Sequence, residues 1–126
     1  YTSEAAQRLL NEAARYLGTP YVWGGYSPSG FDCSGFVSYC LTNSGVRNTG
    51  RLTAQGLYNI CTPVSQSEAQ PGDLIFFTGT YDAGEPVTHI GIYVGNDQMI
   101  HCGHPVQYTS INSPYWQSHF YGFGRW

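Results

Sequence analysis

The sequence predicts an α+β fold, with N-terminal helices packed on a central antiparallel sheet of about five strands. Two observations predict it. The first half carries apolar residues at helical spacing, whereas from residue 73 onward the apolar segments are short, β-branched or aromatic, and punctuated by Gly, Pro, Asn and Asp. Helices gathered ahead of the strands, rather than alternating with them, favour an antiparallel sheet covered by helices. The chain of 126 residues is sized for one domain over 1–126. It starts two residues ahead of a helical pattern without a leader segment, which suggests a domain taken from a longer protein.

From Ser3 to Leu17 the residues Ala5, Ala6, Leu9, Leu10, Ala13, Ala14 and Leu17 form one helical stripe, with Thr2 or Ser3 as N-cap and Gly18 as C-cap. The segment 18–30, "GTPYVWGGYSPSG", is rich in Gly, Pro and Ser but holds three aromatic residues, so it reads as an ordered loop. Asp32 caps a second helix reaching about Asn43, with Gly45 closing it, and Thr53 caps a short third helix carrying Leu57 and Ile60. Strands are expected at 73–79, 88–95, 98–102, 106–110 and 119–125.

Charge excludes one class of function. The chain has five arginines, no lysine and a net charge of −3, so it lacks the basic stripe of a nucleic-acid binder. No stretch approaches the roughly 18 apolar residues of a membrane span. Eleven tyrosines and three tryptophans fit a surface that touches glycans or peptides outside the cell. The four cysteines, Cys33, Cys40, Cys61 and Cys102, contain no CxxC pair, and most are expected to be free thiols.

Chemistry concentrates at "GFDCSGFVSYC", residues 30–40. A thiol on the first turn of a helix faces unpaired N–H groups and the positive end of the macrodipole, both of which favour thiolate. Cys33 has Asp32 as cap and small Ser34 and Gly35 beside it, which suits a nucleophile; Cys40 has none of these and reads as a buried structural thiol. A nucleophilic thiol needs a base, and the base an orienting partner. In "THIGIYVG" alternation puts His89, Gly91 and Tyr93 on one face. If Gly95, Asn96 and Asp97 form a three-residue hairpin loop, Val94 pairs with Gln98, Tyr93 with Met99 and Gly91 with His101. His89 and His101 then share a face, with room left by Gly91. His104 is a reserve candidate, and His119 reads as an ordinary surface or core histidine.

The blocks "PYVWGGYSPSGFDCSGFV", "QPGDLIFF" and "THIGIYVGNDQMIHC" resemble the signature segments of NlpC-type, papain-like cysteine peptidases of bacterial cell walls. "RLTAQ", residues 51–55, is similar to another segment of that family. The resemblance implies a papain-like fold with Cys33 as nucleophile, His89 as general base and His101 as the residue that fixes the His89 tautomer. It further implies that Tyr21 assists at the oxyanion or holds a substrate amine, and that Asp32 and Ser34 receive a free N-terminal L-alanine, with Trp23 beside them as a substrate contact. Capping explains Asp32 equally well.

The activity so implied is hydrolysis of the γ-D-glutamyl-diamino acid bond in peptidoglycan stem peptides through an acyl thioester. The domain would be a monomer working in the cell wall without a cofactor. Two rivals keep the fold: a silent peptidoglycan-binding module and an acyltransferase. A third reading takes His89, His101, Cys102 and His104 as a zinc site, but structural zinc ligands are normally split into two pairs by a longer loop, and alternation turns Cys102 away from the histidines, so no metal is expected. The insertion "TGTYDAGEPVTH", residues 78–89, would rim the cleft.

Overall fold

The structure, a computed structural model, describes residues 3–126. The first helix, α1 (Glu4–Ala14), is capped by Ser3, whose hydroxyl accepts the Ala6 N–H at 3.1 Å; the alternative cap, Thr2, lies outside the described residues. Ala6, Leu9 and Ala13 of the stripe are buried. Helix α1 ends before Gly18, because the N–H groups of Arg15, Tyr16 and Leu17 each bond to the carbonyl three residues back. That tighter winding turns Leu17 off the stripe and leaves it 46% exposed, not in the core as expected.

The loop that follows is ordered and holds a small hairpin, β1 (Tyr26–Ser27) with β2 (Gly30–Phe31). Helix α2 (Cys33–Asn43) begins at the expected cap: the Asp32 carboxylate accepts the Gly35 N–H at 2.6 Å. Gly45, with φ +80°, follows its end. Helix α3 (Ala54–Ile60) starts at Thr53, whose hydroxyl accepts the Gly56 N–H at 3.0 Å. Then come β3 (Thr62–Val64), β4 (Leu74–Thr78), β5 (Val87–Gly95), β6 (Gln98–Cys102), β7 (Val106–Ser110), α4 (Pro114–His119) and β8 (Phe120–Arg125).

Among the described residues, six of these strands form one antiparallel sheet in the order β3-β8-β4-β5-β6-β7. The sixth strand, β3, was not expected because it is short and holds Pro63; its edge position tolerates the missing donor. The main core lies between the helices and one sheet face, where Phe36, Val37 and Leu41 of α2 meet Phe76, Ile90 and Ile92. A smaller core of Ile75, Phe77, Met99 and Phe123 fills the other face, partly covered by Trp116 of α4. In "QPGD" the buried Asp73 accepts both Nε and Nη2 of Arg125, at 2.8 and 2.7 Å, and the Gln70 N–H at 2.8 Å. It ties the start of β4 to the end of β8.

The β5–β6 hairpin differs from expectation in detail. Gln98 pairs with Gly95, not Val94, and the turn is two residues long. Asn96 and Asp97 take φ +53° and +58°, the left-handed values that a tight hairpin turn demands and that these residue types tolerate. A bulge between Tyr93 and Gly95 absorbs the extra residue, so Tyr93 still faces Met99 and Ile92 faces Ile100. His89 and His101 therefore end on the same face, as the longer loop would also have placed them.

Three glycines seat α2 against the loop before it. A Cβ on Gly35 would lie 1.9 Å from the Gly25 carbonyl oxygen, and one on Gly25 would lie 2.5 Å from that of Gly30. The backbones touch, so no side chain can yield. Gly35→Ala is expected to lower stability by about 1–3 kcal/mol or more, read as an earlier urea midpoint at unchanged m. Gly122→Ala, whose Cβ would meet nothing within 4 Å, should change it by about 0.5 kcal/mol or less.

Candidate active site

Cys33 opens α2 and is 8% exposed at the floor of a cleft of about 280 Å³. Strands β5 and β6 are paired from Ile92 to Gly95, and toward Val87 they part. The Cys33 sulfur meets β5 on that stretch, 3.9 Å from the carbonyl oxygen of Thr88, the residue before His89. His89 Nε2 and His101 Nδ1 are 2.9 Å apart, and His101 Nε2 lies 2.8 Å from Thr109 Oγ1. Gly91 makes this possible, since a Cβ there would sit 3.2 Å from that of His101 and 2.8 Å from the Met99 sulfur.

The hydrogen-bond chain admits two sets of neutral tautomers, because the Thr109 hydroxyl can accept or donate. In one, Thr109 accepts from His101 Nε2–H and His101 Nδ1 accepts from His89 Nε2–H; in the other both bonds run the opposite way. Only the first leaves His89 Nδ1 unprotonated and able to take a proton. Trp116 lies over the pair, stacked on His89 at 5.2 Å and edge-on to His101 at 5.3 Å. It keeps water from the bond between them. Neither Thr109 nor Trp116 was singled out in the sequence, although the Ser113-Pro114 cap that starts α4 was a readable signal.

Electrostatics overturn one expectation. The Ser34 and Ile90 N–H groups do pull the Cys33 pKa down, but burial first and the Asp32 charge second outweigh them and push it up to about 11. Burial, with His101 alongside, lowers His89 to about 3, and burial lowers His101 to about 4. In the free protein at pH 7 burial therefore favours a neutral thiol and neutral imidazoles over a thiolate. A dipole at a helix end is worth about 0.3–2 kcal/mol, less than the cost of stripping water from a buried anion.

The other predicted residues fall as follows. Tyr21 lines the cleft, its ring packed at 4.8 Å on His104, and burial followed by the Cys33 and Asp32 charges raises it to about 12. It stays a protonated donor. Asp32 caps α2 and also takes the Gly24 N–H at 3.1 Å and Arg51 Nη2 at 2.6 Å. Arg51 Nη1 donates to Ser34 Oγ at 2.9 Å, so this arginine, which the sequence reading did not single out, locks Asp32 and Ser34 together. Its signal was its place at the head of "RLTAQ". Trp23 stands on the rim, 72% exposed, its ring 5.5 Å from that of Tyr81 in the 78–89 insertion.

Cys102 is buried in the main core with its sulfur 3.2 Å from the Phe31 carbonyl oxygen, on the side away from the histidines. With His104 against Tyr21, the four residues of the zinc reading do not converge. Among the described residues no group of three or more His, Cys, Asp or Glu side chains could hold a metal ion. His119 bonds through Nδ1 to the Thr78 carbonyl at 2.7 Å, a structural contact. All four cysteines are free thiols, and no described helix is long and apolar enough to cross a membrane.

Comparison with known proteins identifies the family. The profile of the NlpC/P60 family matches residues 18–125. The bifunctional muramidase/DL-endopeptidase CwlT of Bacillus subtilis is 43% identical over 121 residues, covering 94% of this chain and 36% of that protein. A probable endopeptidase p60 of Listeria seeligeri is 47% identical over 118 residues, 93% of this chain and 21% of that protein. The chain thus spans about a third or less of these relatives. Among solved structures, a lipoprotein-like NLP/P60 family protein of Staphylococcus aureus superposes with a TM-score of 0.92 at 42% identity, covering 99% of this chain and 42% of that one. With its helix-start cysteine, paired histidines and helix-on-sheet fold, the chain belongs to the NlpC/P60 family.

Proposed function

We propose that this domain is a cysteine endopeptidase that cuts the γ-D-glutamyl-diamino acid bond of peptidoglycan stem peptides through an acyl thioester on Cys33. The observation that carries this reading is the seating of the Cys33 sulfur on the β5 backbone around His89, whose ring is held through His101 and Thr109. The thiol that points at Thr88 in the free protein swings its proton to His89 Nδ1 as the sulfur attacks the amide carbon. The Cys33 N–H and the Tyr21 hydroxyl donate to the oxyanion, each worth about 2.7–4 kcal/mol when well aimed. The imidazolium returns its proton to the leaving amine; water, deprotonated by His89, then cleaves the thioester.

Asp32 and Ser34, held by Arg51, receive the free N-terminal amine of the glutamyl-side dipeptide, and Trp23 packs on the peptide at the rim. Action on this substrate would put the protein outside the cell, in the wall. The raised thiol pKa favours one second reading, a binding module that holds stem peptides without cutting them. Incubating the protein with stem peptides of different lengths and weighing the fragments decides: scission between D-glutamate and the diamino acid is expected, and intact peptides that still bind would establish the module.

Two further outcomes follow from the roles assigned. Cys33→Ser should abolish turnover with an unchanged melting curve. His89→Ala should cost about 10²–10⁴-fold in kcat, the range of general acid–base catalysis, and His101→Ala distinctly less, because water can orient an imidazole but cannot replace it. Equal losses would contradict this division. Because the folded thiol titrates near 11, alkylation of Cys33 by iodoacetamide, followed by peptide mass mapping, should rise about tenfold per pH unit from pH 7 to 10. A rate flat from pH 5 to 8, the sign of a standing thiolate, would contradict the neutral pair.

A further inference from the structure

Three charged side chains line the cleft around Cys33: Asp32, Arg51 and Glu85. Asp32 and Arg51 cancel in an ion pair of 2.6 Å. Glu85 has no cationic partner among the described residues, so the cleft carries one uncompensated negative charge, supplied by the insertion. The insertion holds a second acid, Asp82, and no Lys or Arg.

This carboxylate is presented by a fixed loop. At its base the Thr80 N–H donates to Thr88 Oγ1 at 3.0 Å and the Val87 N–H donates to Gln55 Oε1 at 3.0 Å. At its tip the Tyr81 ring meets Trp23 edge-to-face across the rim. Glu85 stands three positions before Thr88, whose carbonyl faces the Cys33 sulfur, and three chain steps span at most about 11 Å. An ammonium on a four-carbon stem stands roughly 6 Å from its own Cα, so the two charges can meet while the backbone of the substrate lies at the sulfur.

We propose that Glu85 is a specificity-determining residue: its carboxylate receives the side-chain ammonium of the diamino acid at the scissile bond, selecting peptides in which that amine is free over those in which it is acylated. This rests on the substrate class proposed above. The pair is solvent-exposed and weak, in keeping with a filter rather than an anchor.

The test is binding by calorimetry to the Cys33→Ser protein, using two stem peptides identical except that the diamino acid's side-chain amine is free in one and acetylated in the other. The free-amine peptide should bind about two- to fivefold more tightly at low salt, and the gap should close at high salt and in the Cys33→Ser, Glu85→Gln double variant. Equal affinities in the Cys33→Ser protein, a gap that survives Glu85→Gln, or no binding of either peptide would each overturn the proposal. Hydrolysis of the same pair by the unaltered protein tests the peptidase reading separately, since uncut peptides would leave the binding preference still measurable.

Discussion

The bond between His89 Nε2 and His101 Nδ1 is the interaction on which the chemistry of the cleft depends. It exists because the β5–β6 register puts both rings on one sheet face, because Gly91 brings no side chain against His101, and because Thr109 hydrogen-bonds the far side of His101. Each condition is a backbone or packing fact settled by folding. None requires substrate, so the His89 ring, the base proposed here, is oriented before any ligand arrives, and the cost of ordering it is met within the folding free energy.

The same burial that protects this chain sets its charge state. Trp116 and Phe77 cover the histidines, and the main core encloses Cys33, so every ionised form at the site loses hydration. The helix-end N–H groups act in the direction of thiolate but are too weak to win against that loss. In the mechanism proposed above, charge is created only while the sulfur attacks, when the developing oxyanion and imidazolium would stabilise one another in a setting of low dielectric constant. At the rim the logic is reversed. Partly buried Asp32, buried Ser34 and exposed Arg51 form a satisfied polar cluster.

Much of this was legible in the residues alone. Helix α2 and its Asp32 cap, the Thr53 cap, strands β6 and β7 and the facing of His89 and His101 follow from local rules of capping and alternation. The hairpin was read with a loop one residue too long, and the Val94 bulge made that error harmless, since one extra residue in the strand replaces one in the turn. What local rules miss is long-range. Arg51 finds Asp32 across 19 positions, and Trp116 reaches the histidines from a helix whose start signal is only Ser113-Pro114. The protonation state of Cys33 depends on how completely α2 is covered, which no window of sequence around residue 33 reports.

Nitrogen-15 NMR of the histidine rings in the free protein at pH 7 tests the central claim most directly. The account predicts that His89 and His101 are both neutral and both carry their proton on Nε2, the set of tautomers that leaves His89 Nδ1 free to take the thiol proton. A proton on His89 Nδ1, or a fully protonated His89 at that pH, would contradict it.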